Sequence, residues 1–198
     1  MFIPPLKNKR NRIIIVSPRQ FGYQTDYLKY CEYLKNSNEV VFFTLDQGEK
    51  KISSNGVCVK YSKISSRFKL LGEICFILKV VLYIMTHRGE VMIAYGSHCS
   101  IYKRLLPWRK MIINFRTVSV AHDPERRKKE NERFRKESLP FERIIMISEE
   151  GASQIGFDKS KLAVVSLGAD IISSTHKDFE PLRLLYVGTL YNRDIIKT

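Results

Sequence analysis

Proton transfer near neutrality needs a group whose unperturbed pKa lies close to 7, and His98 and His122 are such groups. His98 follows the apolar run VMIAY at 91–95, and His122 lies beyond MIINF at 111–115. Each is a candidate base for an attacking hydroxyl and equally a candidate hydrogen-bonded turn residue. Arg116, directly after MIINF, offers a planar fork suited to a phosphate or an acidic group, or simply sits on the surface. Gly22, between Phe21 and Tyr23, follows IIIVS at 13–17. A glycine there lets backbone approach a phosphate, or only makes the turn. Ser97 beside His98, and Ser148 with Glu149 after RIIMI at 143–147, are the remaining polar groups at such run ends. Glu149 could bind ligand hydroxyls or offset a helix dipole. The four cysteines, Cys31, Cys58, Cys75 and Cys99, stand 27, 17 and 24 residues apart, without the close pairs of a zinc ribbon or a redox motif. We therefore expect a reducing compartment, no metal and no bound cofactor.

These residues need elements to hold them, and the chain supplies a regular alternation. Apolar, β-branched runs at 13–17, 40–45, 57–61, 91–95, 111–115, 143–147 and 162–165 read as strands buried on both faces. Between them lie helical patterns. Tyr27, Leu28, Cys31 and Leu34 share one spacing, Ser66 can cap a long apolar helix reaching about His87, and another helix ends near Pro107. Asp123-Pro124 is a helix start, a capping carboxylate with proline in the first turn. Ser148 can cap a short helix carrying Glu149 and Glu150. The pattern predicts an α/β fold, a Rossmann-like doubly wound, mostly parallel sheet of about seven strands with helices on both faces. Ligands of such sheets bind at the carboxyl ends of strands, where the candidate residues lie.

With 198 residues, 44% hydrophobic and 27% charged, the chain is too apolar to be disordered. Its 34 Lys+Arg against 20 Asp+Glu give a formal charge of +14. Residues 1–11 read as a basic tail, lacking the apolar stretch of a signal peptide. The apolar stretch 68–85 is broken by Lys69, Glu73 and Lys79 and is not expected to cross a membrane. The run RRKKENERFRK at 126–136, beginning Arg126, Arg127, Lys128, Lys129, carries seven positive and two negative charges. It reads as a solvated helix face or as an attractor for an anionic surface. On the long helix, Lys69 and Lys79 share an arc with Phe76, Val80 and Tyr83. Lysines mixed with exposed aromatics would suit a membrane interface; a neighbouring element covering the aromatics is the alternative. Nucleic acid is the weaker partner, since no reader motif accompanies the charge. Together these features predict a cytoplasmic protein with room for a peripheral place on the inner membrane face.

Beyond 165 the character changes. Residues 166–181 are polar and irregular, as in a linker, and LLYVG at 184–188 opens a new strand and turn. The ordered motifs RIIIVSP, FERIIMISEE at 141–150, KLAVVSLGAD at 161–170 and LRLLYVGTLYNRD at 182–194 resemble the GT-B-fold glycosyltransferases, family 4 in particular. Departures are Thr189 where arginine is frequent, Asp194 where glycine or asparagine is frequent, and a single first-loop glycine, Gly22.

The resemblance implies an N-terminal, acceptor-side lobe at 12–165, an interdomain linker at 166–181 and the start of a donor-binding lobe at 182–198. The family's paired donor-site glutamates would lie beyond Thr198, so the chain alone is expected to be inactive and to bind nucleotide sugar weakly. In the whole enzyme the partners would be a nucleotide sugar, held through the second lobe, and a glycan or lipid-linked acceptor. Arg116 resembles an arginine at this strand end in some relatives. Gly188 and Arg193 would be donor-side, Arg193 as the phosphate-contacting basic residue. Inversion would require a base such as His98 or His122, whereas retaining members generally lack an obvious protein nucleophile. Rival readings are a non-enzymatic α/β module binding anionic membrane or nucleic acid, and a stand-alone enzyme using either histidine.

Overall fold

Seven consecutive apolar runs leave the chain one economical way to bury them, side by side with helices packed on the two faces. A computed structural model shows this arrangement; it describes residues 10–63, 69–96 and 98–166. The strands are β1 (Asn11–Ser17), β2 (Asn38–Asp46), β3 (Val57–Lys63), β4 (Glu90–Ala94), β5 (Met111–Asn114), β6 (Arg143–Met146) and β7 (Leu162–Val164). All neighbours are parallel, in the order β3-β2-β1-β4-β5-β6-β7. The fold is α/β and Rossmann-like. The helices are α1 (Thr25–Leu34), α2 (Lys69–Thr86), α3 (Ser100–Leu105), α4 (Pro124–Ser138) and α5 (Glu149–Ile155).

Right-handed crossovers decide which face each helix covers. Leading outward from β1 to β2, α1 packs Tyr27 and Cys31 on one face, against Ile15, Phe42 and Met92. The chain then returns across β1 to β4, so α2 and its successors cover the other face. There Phe76, Val80 and Ile84 of α2, Tyr102 of α3, Phe134 of α4 and Ile155 of α5 meet Ile14, Val16, Phe43, Ile93 and Phe115. Each large apolar side chain fully buried this way contributes about 1.5–3 kcal/mol.

The helix starts read from sequence are made as expected. Asp123 accepts from the backbone N–H of Glu125 and Arg126 at 3.3 and 3.1 Å, and Ser148 Oγ accepts from Gly151 N–H at 3.1 Å. Ser66, the tail residues 1–9, Ser97 and everything from 167 on, with Gly188 and Arg193, lie outside the described residues, as does the side chain of Lys69.

Of the two readings of the α2 arc, the structure shows the one in which a neighbouring element covers the aromatics, so Phe76 and Tyr83 are not part of a membrane-facing surface. Phe76 and Val80 are 4% and 0% exposed and belong to the core, and Tyr83 is half-buried. Tyr83 packs 5.0 Å from Phe43 and stacks on His87 at 3.8 Å, ring centre to ring centre. The arc that mixes charges with aromatics therefore faces the sheet, and the aromatics decide its orientation because their burial outweighs the cost of carrying Glu73 to the rim.

An ion pair between buried Lys103 and the more exposed Glu142 ties three segments together. Lys103, 7% exposed, donates to the carbonyls of Pro107 and Arg109 at 2.8 and 2.6 Å and to the Glu142 carboxylate. Glu142 also accepts from Met111 N–H at 2.9 Å. Partial burial works to raise the Glu142 carboxyl, but the bonds from Lys103 and Met111 outweigh it and hold the group below its usual range. A carboxyl depressed on folding adds stability above its unfolded value of about 4.3, and that stability is lost as pH falls through the lower folded value. Glu142→Gln should cost about 1–2 kcal/mol at pH 7. It should also flatten the acid limb of stability below about pH 5, as read from urea midpoints across pH.

Candidate functional site

Where consecutive helices take opposite faces, the loops after two neighbouring strands diverge and leave a crevice. Here the divergence is between β1 and β4, and a cleft of about 1330 Å³ opens there. Its rim comes from the ends of β1, β2, β4 and β5. Arg19, Asp46, Lys63, Glu73 and Arg116 bring charge, His98 brings an imidazole, and Tyr27, Tyr95 and Phe134 bring aromatic surface.

The loop after β1 is fixed to the loop after β2 rather than left open. Gln20 donates to the Glu49 carbonyl at 2.7 Å and accepts from Gln47 N–H at 2.8 Å. Thr44 Oγ1 donates to the Arg19 carbonyl at 2.6 Å. At the cleft wall, Ser17 Oγ donates to Gln24 Oε1 at 3.0 Å. Asp46 is held below its ordinary range, chiefly by the bond from Lys51 and then by Gly48 N–H. It remains an anionic acceptor on the rim.

Deeper in the cleft, the buried groups point to ligand chemistry. Tyr27 and Asn114, each 2% exposed, line it. Tyr27 Oη and Asn114 Nδ2 make no hydrogen bond of good geometry, although the Asn114 side chain lies close enough to the Tyr27 and Tyr30 hydroxyls to interact with both. Leaving a buried polar group unpaired costs about 1–3 kcal/mol, so such groups are usually satisfied. Burial, reinforced by the Asp26 carboxylate, pushes the Tyr27 phenol far up, so it keeps its proton and remains a donor. Beside them Arg116 pairs with Asp26, which sits in the first turn of α1. That pairing aims the guanidinium along the cleft wall and leaves it 40% exposed.

His98 lines the same cleft, exposed, with a left-handed backbone at φ 60°. For a residue other than glycine this conformation is uncommon, although His adopts it more readily than most, and such residues cluster at functional sites. The adjacent Cys99 is pushed up to about 12 by burial and is no nucleophile near neutrality. Among the described residues no group of His, Cys, Asp or Glu could hold a metal ion.

The other candidates lie elsewhere. His122 is exposed in the segment before α4, and its carbonyl accepts from Arg127 at 3.5 Å; it is not part of the cleft lining. Tyr23 Oη donates to the Lys50 carbonyl at 3.1 Å, and Gly22 packs against Ile52. Ser148 is occupied as the cap of α5, and Glu149 lines a separate small cavity of about 230 Å³ with Phe157 and Lys159. Arg126 pairs with Glu130 at 3.0 Å on α4, where Arg127, Lys128 and Lys129 are exposed. The cleft therefore unites His98 and Arg116, and adds Tyr27 and Asn114 in its lining and Asp26 as the partner of Arg116, all three missed by sequence reasoning. Asn114 had left a signal, the one polar residue inside MIINF.

No family model and no curated protein matches the chain. Solved structures do. Anabaena HepE in complex with UDP matches at TM-score 0.53 and 11% identity, over 82% of this chain and 45% of that one. Anabaena HepE with UDP and glucose matches at 0.54 and 12%, over 82% and 46%. The shared property is the fold, and the chain spans about half the length of those proteins.

Gly22 has φ +90°, and a Cβ there would stand 2.8 Å from Ile52 Cβ and 2.5 Å from its Cδ1. Gly22→Ala should destabilise the protein by about 1–3 kcal/mol. Thermal unfolding measures it; an unchanged midpoint would remove the steric account of this glycine.

Proposed function

We propose that this chain is the acceptor-side lobe of a GT-B, family 4-like glycosyltransferase, which moves a sugar from a nucleotide-sugar donor to a hydroxyl of a glycan or lipid-linked acceptor. The observation that carries the reading is the pair Tyr27 Oη and Asn114 Nδ2, buried without a hydrogen bond of good geometry in the cleft that His98 and Arg116 also line. Oxygen-rich ligands such as sugars complete such donors. Further support comes from the fold shared with a protein solved with UDP and with UDP plus glucose, a nucleotide and a sugar together.

Each residue then has a role. Tyr27 and Asn114 orient acceptor hydroxyls, since a site built to bond a hydroxyl discriminates strongly against ligands lacking it. Arg116, braced by Asp26, takes an anionic group on the acceptor or the donor phosphate approaching from the second lobe. His98 is the group at the rim able to take the acceptor proton in an inverting transfer. Gly188 and Arg193 belong to the donor side, and no metal is needed in this lobe. The protein acts in the cytoplasm.

Removing the hydroxyl of Tyr27 should leave stability unchanged or slightly improved, because an unpaired buried O–H contributes nothing to the unliganded fold. In the protein carrying both lobes, Tyr27→Phe should raise acceptor KM about tenfold with kcat little changed, a loss of about 1.4 kcal/mol. A destabilised Tyr27→Phe with normal acceptor KM would assign the hydroxyl to the fold instead. Calorimetric titration of the 198-residue chain with UDP-glucose or GDP-mannose should show no micromolar binding; such affinity would place the donor site in this lobe and overturn the assignment.

A further inference from the structure

A helix in an outer layer ordinarily buries one apolar stripe and shows polar residues to water. α2 does not. Its inner side, with Phe76, Val80, Val81 and Ile84, is 0–7% exposed against the sheet. Its outer side carries Leu70, Leu71, Ile74, Leu78, Leu82 and Met85, which are 44–72% exposed. Their spacing places them along one continuous strip of the helix surface, about 23 Å long from Leu70 to Met85 by the helical rise. Single exposed leucines need no explanation, but a contiguous aliphatic strip marks an interaction surface.

More exposed apolar surface lies near the end of α2. Arg109 Nη2 donates to the carbonyls of His87 and Gly89 at 3.3 and 2.9 Å, which brings the segment after α3 against the end of α2. That segment presents Trp108, 67% exposed and the one tryptophan of the chain, with Leu105 at 45%. Indole rings partition to the boundary between lipid chains and headgroups. Basic residues border the strip. Lys79 and Arg88 are exposed, Lys60 Nζ lies 5.0 Å from the Tyr83 ring centre, and Arg104 projects from α3. On the same side of the sheet α4 exposes Lys128 and Lys129.

We propose that this outer face, the α2 strip with Trp108, docks on an anionic lipid bilayer. Charge decides between lipid and a second copy. Two copies meeting on this strip would set like-charged borders together in a chain of net charge +14, whereas anionic headgroups complement them. Among the described residues no helix is long and apolar enough to cross a membrane, so α2 lies in the plane of the interface with its aliphatic side sunk among the acyl chains. The proposal uses neither the cleft nor sugar transfer and stands apart from the function proposed above.

Trp108 is a built-in reporter. The full chain is titrated with vesicles of phosphatidylcholine alone and of phosphatidylcholine with an equal part of phosphatidylglycerol, at low and high salt. Trp108 emission should shift to the blue and the protein should co-sediment with the anionic vesicles, at least tenfold more tightly than with neutral ones and more weakly at high salt. Leu78→Glu/Leu82→Glu alters exposed positions only; with circular dichroism and thermal midpoint retained, it should lose at least tenfold in binding. Equal binding to both vesicles, unaltered emission, or an undiminished double variant would overturn the proposal. So would a blue shift that grows with protein concentration in the absence of lipid, which would assign the face to a second copy.

Discussion

The reversal of helix side between β1 and β4 governs the rest of the molecule. In an all-parallel sheet each crossover is right-handed, so moving outward from β1 to β2 puts α1 on one face, and moving back to β4 puts α2 on the other. The two loops leaving β1 and β4 consequently bend apart. Nothing in the backbone can fill the space between them, because the adjacent strand ends need their own polar groups. The sheet's topology thus creates a cleft before any side chain is chosen.

Side chains then make the cleft specific. Tyr27 is delivered by the first turns of α1, packs against Phe42 at 6.4 Å between ring centres and lines the cleft. Asn114 ends β5, where its side chain looks into the same space. The Asp26–Arg116 pair joins the start of α1 to the residue just beyond β5. A fold selected only for stability would place apolar atoms at Tyr27 Oη and Asn114 Nδ2, since the unpaired groups weaken the unliganded protein. Their retention has a physical rationale if a ligand's oxygens complete them. The strained turn at His98 follows the same logic.

Strand identity was legible because buried parallel strands are nearly uninterrupted β-branched runs, and IIIVS, VVFFTL, VMIAY and MIINF leave little choice. The starts of α4 and α5 were legible because Asp123-Pro124 and Ser148 carry their capping chemistry in the residue itself. The orientation of α2 was not. A helix that is apolar on nearly all sides has no single moment to follow, and its few charges sit at the borders, where their long stems reach water from either orientation. Only the tertiary partners, Phe43 above all, fix that Phe76 and Tyr83 turn inward. Tyr27 and Asn114 were hidden for a related reason. Each occupies a position that periodicity assigns to the core, and the core is where they are; only their buried polar atoms without a well-formed bond set them apart.

The central claim is that the cleft at the switch point receives a hydroxyl-rich acceptor through Tyr27 and Asn114. Nitrogen–proton correlation spectra of the labelled chain test this directly, with methyl β-glucoside as a neutral probe and glucose 6-phosphate as an anionic one. The account predicts saturable shifts of the Asn114 side-chain amide with both probes, and of the Arg116 guanidinium with the phosphate alone. Resonances around the separate cavity at Glu149 should stay in place. Shifts centred on that cavity, or an Asn114 amide indifferent to both sugars up to solubility, would contradict it.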